Sequence, residues 1–153
     1  MAGDELASII KRFAESECSW LSTVRPDARA HAAPVWHVWH RGRVYVVAAT
    51  TSVKVRNIAS NPNVVITHPD PMEAIILEGT AGLVEGMTDV LRPHFERKYA
   101  WDIATDEEYD AVIEITPTRL LAWGEEGSDE RRRWTGEDVS AVLLDEPPRR
   151  TSG

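Results

Sequence analysis

The chain has 153 residues, the size of one ordinary domain, and its 42% hydrophobic and 27% charged side chains exclude a disordered polymer. Its 25 acidic and 17 basic residues leave a formal charge of −8, the wrong sign for sequence-independent binding of nucleic acid. Cys18 is the single cysteine, so no internal disulfide and no CxxC pair exist. The acidic start lacks the apolar run of a secretory signal, and no uncharged stretch nears the ~20 residues of a membrane span. The expectation is a soluble, cytoplasmic protein.

Leu6, Ile9, Ile10 and Phe13 recur at helical spacing and predict an amphipathic helix, with Asp4 at its N-cap and its end at Glu17. Ser19 to Val24 reads as a strand, and Pro26-Asp27 suits the turn after it. A second long strand, Arg29 to His40, is broken at Pro34, which cannot donate to a central ladder. Arg41-Gly42 forms a hairpin into a third strand, Arg43 to Ala49. Val55, Ile58 and Ala59 then mark a short helix with a Thr/Ser cap, ended by Asn61-Pro62.

Asn63 to His68 is a β-branched strand, and Met72 to Glu85 a long one with bends expected at Gly79 and Gly82. Thr88 to Tyr99 reads as a helix in which Pro93 demands a kink or a restart. Asp110 to Gly124 is a last strand, interrupted by Pro117. Residues 1–140 form one domain on this reading, and 141–153 a flexible tail. Six antiparallel strands with short helices between them favour a mainly β fold, a small closed barrel, over a doubly wound parallel sheet.

The histidines offer no metal site. His37 and His40 fall on opposite faces of a strand, and His31 lies about 20 Å from His37 at ~3.3 Å per residue. No nucleophile elbow, Walker loop, HExxH or GxGxxG occurs, so no catalytic side chain is singled out. Thr50-Thr51-Ser52-Val53-Lys54-Val55-Arg56-Asn57 is different. Hydroxyls gather at a helix N-terminus, whose dipole and free N–H groups favour an anion. Lys54 and Arg56 oppose that dipole, which suits a phosphate-holding helix; the same residues also suit an ordinary capped surface helix. Trp36 and Trp39 face opposite sides of their strand, so one fills the interior and the other needs outside cover, such as a subunit interface. Arg131-Arg132-Arg133-Trp134, flanked by acids, reads as a solvated stretch or an intersubunit arm rather than a nucleic-acid patch.

Leu21-Ser-Thr-Val-Arg-Pro-Asp27, Ala33-Pro-Val-Trp36, Ser52-Val-Lys-Val-Arg-Asn-Ile58 with Asn61-Pro62, Glu78-Gly-Thr-Ala81 and Phe95-Glu-Arg-Lys-Tyr99 carry a resemblance. Together they resemble the split β-barrel superfamily of pyridoxamine-phosphate oxidase, most closely its flavin/deazaflavin oxidoreductase branch. The resemblance implies a six-stranded FMN-binding-type split barrel, a homodimer, and a cofactor at the dimer interface. It places the cofactor phosphate on Thr50, Thr51, Ser52, Lys54, Arg56 and Asn57, and the ring system along Pro34, Val35 and Trp36. The implied reaction is hydride transfer between the deazaflavin coenzyme F-420 and a small organic substrate, with His37 as one candidate proton donor. FMN is the alternative cofactor, and a non-catalytic flavin, deazaflavin or haem-type carrier the alternative role. The C-terminal aromatic and arginine motif of the oxidase proper has only a weak echo in Arg131 to Trp134, which argues against vitamin-B6 oxidation.

Overall fold

The computed structural model describes residues 2–124 and 130–144. Helix α1 (Ala2–Glu15) turns Leu6, Ile9, Ile10 and Phe13 inward, each nearly inaccessible to solvent. It starts earlier than the sequence implies, so Asp4 lies in its first turn rather than at the cap, where its charge still complements the dipole. The strands follow as β1 (Ser19–Val24), β2 (Ala30–Val35), β3 (Val38–His40) and β4 (Arg43–Ala48). After α2 (Val53–Ser60) come β5 (Asn63–Thr67), β6 (Ala74–Val84), α3 (Thr88–Tyr99), β7 (Ala111–Trp123), β8 (Arg132–Thr135) and α4 (Gly136–Ser140).

All pairings are antiparallel, in the order β2-β1-β5-β6-β7-β4-β3, with β8 also on β7. The fold is mainly β, a curled half-barrel of the split-barrel kind, but it has eight strands among the described residues and not the six expected. Two physical causes account for the difference. The expected second strand breaks at Trp36-His37, because the buried His37 ring packs into the interior between β2 and β3. The arginine-rich stretch forms β8 instead of a solvated arm, since Trp134 packs on the core and Arg132 pairs with Glu5 of α1.

Nor is the sheet a closed barrel: β2 and β3, consecutive in the chain, are its two edges. Pro34 therefore sits on an edge strand, where its missing N–H costs no ladder bond. Strand β7 carries the split. Its first half, to Ile115, pairs with β4, and its second half, from Arg119, pairs with β8. Pro117 lies between them, where the register to β6 also shifts, at Glu78/Gly79. A side chain at Gly79 would meet the Thr116 carbonyl at 2.7 Å, so the bulge needs glycine there. No bend occurs at Gly82, which keeps regular register opposite Glu114. Helix α3 likewise runs unbroken through Pro93.

Two apolar clusters hold the sheet. The larger gathers α1, α2 and the inner faces of β1, β5, β6 and β7; the smaller seats Leu91 and Phe95 of α3 on Val38, Tyr45 and Val112. Val142 and Leu144 also pack against the larger cluster. The end of the expected tail, 145–153, lies outside the described residues.

Candidate functional site

The segment Thr50–Asn57 is set by its connection from β4 to α2. Ser52 occupies the N-cap with extended backbone, and its carbonyl accepts the first helical bond, from Arg56 N–H at 3.2 Å. Its side chain makes no cap bond, and its buried Oγ has no protein partner. An orphaned hydroxyl of this kind costs free energy unless something outside the chain satisfies it. The N–H groups of the first turn also lack helical acceptors, as at any helix start. Two residues on, Lys54 is half-buried and makes no ion pair among the described residues; burial holds its pKa below the ordinary lysine value.

The rest of the segment divides. Thr50 gives its N–H and its hydroxyl to the Asp110 carboxylate, at 2.9 and 3.1 Å, which lowers the pKa of that carboxyl. Thr51 and Arg56 are exposed and do not line the cleft beside Lys54. Asn57, implied as a cofactor ligand by resemblance, is 2% exposed and donates to Thr23 Oγ1 at 3.0 Å. Its amide ties α2 to β1, because a helical position five residues past the cap points back at the sheet rather than at the helix mouth.

Lys54 opens into a cleft of about 220 Å³ lined by Pro34, Val35, Trp36, Val47, Trp101 and Tyr109. Of the residues expected around a ring system, Pro34, Val35 and Trp36 therefore do meet Lys54. Trp36 is 47% exposed and lies flat on Tyr99, with ring centroids 4.5 Å apart. The Trp101 edge meets Trp36, and Tyr109 meets Trp101. Asp106 holds Trp101 in place by accepting from its Nε1 at 3.0 Å. Trp101 and Tyr109 were missed in the sequence because they sit in the loop between α3 and β7, which has no periodicity to read. Three aromatics within eleven residues, Tyr99, Trp101 and Tyr109, were the available signal.

His37 does not reach this cleft. It is fully buried on Phe13, donates from Nε2 to the Phe13 carbonyl at 2.8 Å, and accepts at Nδ1 from Ser19 Oγ, also at 2.8 Å. Burial above all, and the nearby Lys98 charge, lower its pKa from 6.5 to about 3. Both ring nitrogens are committed and the ring is neutral at pH 7, so it is no proton donor to a bound substrate. Its role is to anchor the bend between β2 and β3, which aims Trp36.

The family model of pyridoxamine 5'-phosphate oxidase matches residues 4–124, which include the whole of this arrangement. The chain belongs to the pyridoxamine 5'-phosphate oxidase family. Solved structures share the family fold across most of its length. A haem-binding protein from Mycobacterium smegmatis superposes with a TM-score of 0.75 at 21% identity, over 95% of this chain. The chain spans only 62% of that protein's length. An F-420 reductase gives 0.60 at 23% identity, over 72% of this chain and 94% of its own. General stress protein 26 from Bacillus anthracis gives 0.64 at 23% identity, over 85% of this chain and 99% of its own. No curated protein sequence matches. Proteins that share this fold are thus named for different ligands and roles. No helix among the described residues is long and apolar enough to cross a membrane.

Proposed function

We propose that the chain is an oxidoreductase that exchanges hydride between the deazaflavin coenzyme F-420 and a small organic substrate. One observation carries this reading: at the N-terminus of α2 the buried Ser52 Oγ is orphaned, and two residues on Lys54, without an ion pair among the described residues, lines an aromatic cleft. These residues fit a phosphate on a flat conjugated ring. Ser52 and the first-turn N–H groups of α2 donate to the phosphate, and Lys54 supplies the countercharge. Pro34, Val35 and Trp36 flank the ring, with Trp101 and Tyr109 excluding water from it.

The cofactor supplies the hydride chemistry when bound, and the protein supplies position, charge and dryness. No side chain of the cleft is assigned proton transfer. A cleft of about 220 Å³ is smaller than the ~300–1,000 Å³ usual for a small-molecule site, which favours completion by a second copy of the chain. Trp20 and Pro34 face each other across β1 and β2, both exposed, and give such a copy an apolar surface to cover.

FMN also presents a phosphate on a ribityl chain, so the anchor suits it too. Titration of the purified protein with each cofactor, followed by fluorescence, separates the two. The expected result is saturable, exchangeable binding of F-420 in preference to FMN. Tight FMN that copurifies as a yellow protein would shift the assignment to a flavin enzyme, and failure of both cofactors to bind would overturn the proposal.

A further inference from the structure

The bend between β2 and β3 has a second side. Trp36 faces the cleft of Lys54, whereas Val38 and Trp39 floor another, larger cleft of about 570 Å³. Helices α1 and α3 form its walls. They bring three basic side chains to it, Lys11, Arg97 and Lys98, and one carboxylate, Glu15. Glu15 lies on the exposed rim, 4.0 Å from Lys11. His94 adds an imidazole, set edge-on to His40. In a chain of formal charge −8 this is a local inversion of sign.

Lys98 is the residue that distinguishes this cleft from a patch of surface charge. Its ammonium donates to the His37 carbonyl at 2.7 Å and lies 5.0 Å from the Tyr99 ring centroid. No carboxylate pairs with it among the described residues, although an ammonium has three hydrogens to give. Burial already pushes its pKa down to about 8, so the charge is held in a poorly solvated place without a counter-ion. Val38 and Trp39 line the same cleft.

We propose that this second cleft binds a small organic anion, a carboxylate or phosphate monoester on an apolar body, with Lys98 holding the anionic oxygen and Val38 and Trp39 the body. Arg97 and Lys11 attract the anion from the rim. The site is separate from the one at Lys54: the layer of Trp36, His37 and Tyr99 lies between them, and neither cleft shares a lining residue with the other.

Calorimetric titration of the full chain with naphthoate and with naphthyl phosphate tests this. Saturable binding of either probe is expected, weakened about tenfold or more by Lys98→Met, the loss of one charge-assisted bond. Lys54→Ala should leave naphthoate binding unchanged. Lys11→Gln with Arg97→Gln, both exposed positions that do not threaten folding, should weaken it several-fold and flatten its salt dependence. No saturable heat from either probe would overturn the proposal. So would binding that survives the rim and Lys98 substitutions, or naphthoate binding abolished by Lys54→Ala, which would assign the probe to the other cleft.

Discussion

Ser52 and Lys54 belong to the proposed phosphate anchor but differ in what they do for the free protein. Lys54→Ala removes a charge-assisted bond worth about 1.5–3 kcal/mol, so cofactor affinity should fall by roughly one to two orders of magnitude. Ser52→Ala should weaken affinity less. Because its hydroxyl makes no cap bond and is buried without a partner, the substitution should leave the melting temperature of the free protein unchanged or raise it. Paired cofactor titrations and thermal melts check both, and a melting loss of the size usual for a removed N-cap would place the hydroxyl in the helix instead. His37 belongs to the same scale and makes a pH prediction. The unfolded imidazole takes its proton near 6.5 and the folded one near 3, so its stabilisation is complete above pH 6.5 and declines as pH falls between the two. The share lost from there to about pH 5 is on the order of 2 kcal/mol. Asp106 and Asp110, whose pKa values are lowered, act further down. Urea midpoints over that range should therefore fall in the wild type and stay nearly flat in His37→Gln.

At the scale of elements, the position of α2 depends on one buried amide. Asn57 and Thr23, each 2% exposed, satisfy each other across the α2–β1 contact. Asn57→Ala strands the Thr23 hydroxyl and should destabilise the chain by about 1–3 kcal/mol in denaturant unfolding. A direct cofactor ligand would behave in the opposite way, losing affinity with stability intact. The β3–β4 hairpin makes a comparable demand. Arg41 and Gly42 both have positive φ, as the two-residue turn requires, and a Cβ on Gly42 would run into the Ser140 carbonyl of α4. Gly42→Ala should cost more than about 1 kcal/mol, read as a lowered denaturant midpoint.

At the scale of the molecule, the open edges of the sheet are where the proposed second copy would pair. Edge strand β2 carries Pro34, its neighbour β1 leaves Trp20 46% exposed, and Trp36 just past β2 is 47% exposed. A monomer leaves these apolar surfaces in water, and isologous pairing would cover them. Light scattering at micromolar concentration should give the mass of a homodimer. A monomer mass with cofactor still bound would remove the second copy from the site.

Local pattern was enough for most of the elements and for the helix N-terminus at Ser52. Helical spacing in α1, β-branched runs in β4 and β5, and the hydroxyl-rich start of α2 act over a few residues, and those residues are adjacent in the chain. The family resemblance likewise rested on short contiguous segments, Ala33 to Trp36 and Ser52 to Ile58. What needed the tertiary structure was everything decided by neighbours distant in sequence. His37 splits one expected strand into two because Phe13 and Ser19 wait for its ring, and Trp134 turns a charged stretch into β8 because the core has room for it. Asn57 and Lys54 look alike as polar residues of one helix, yet a rotation of three residues sends one into Thr23 and the other into the cleft. Side-chain direction on a short helix is set by what the helix packs against, and packing is a property of the folded sheet rather than of any segment read alone.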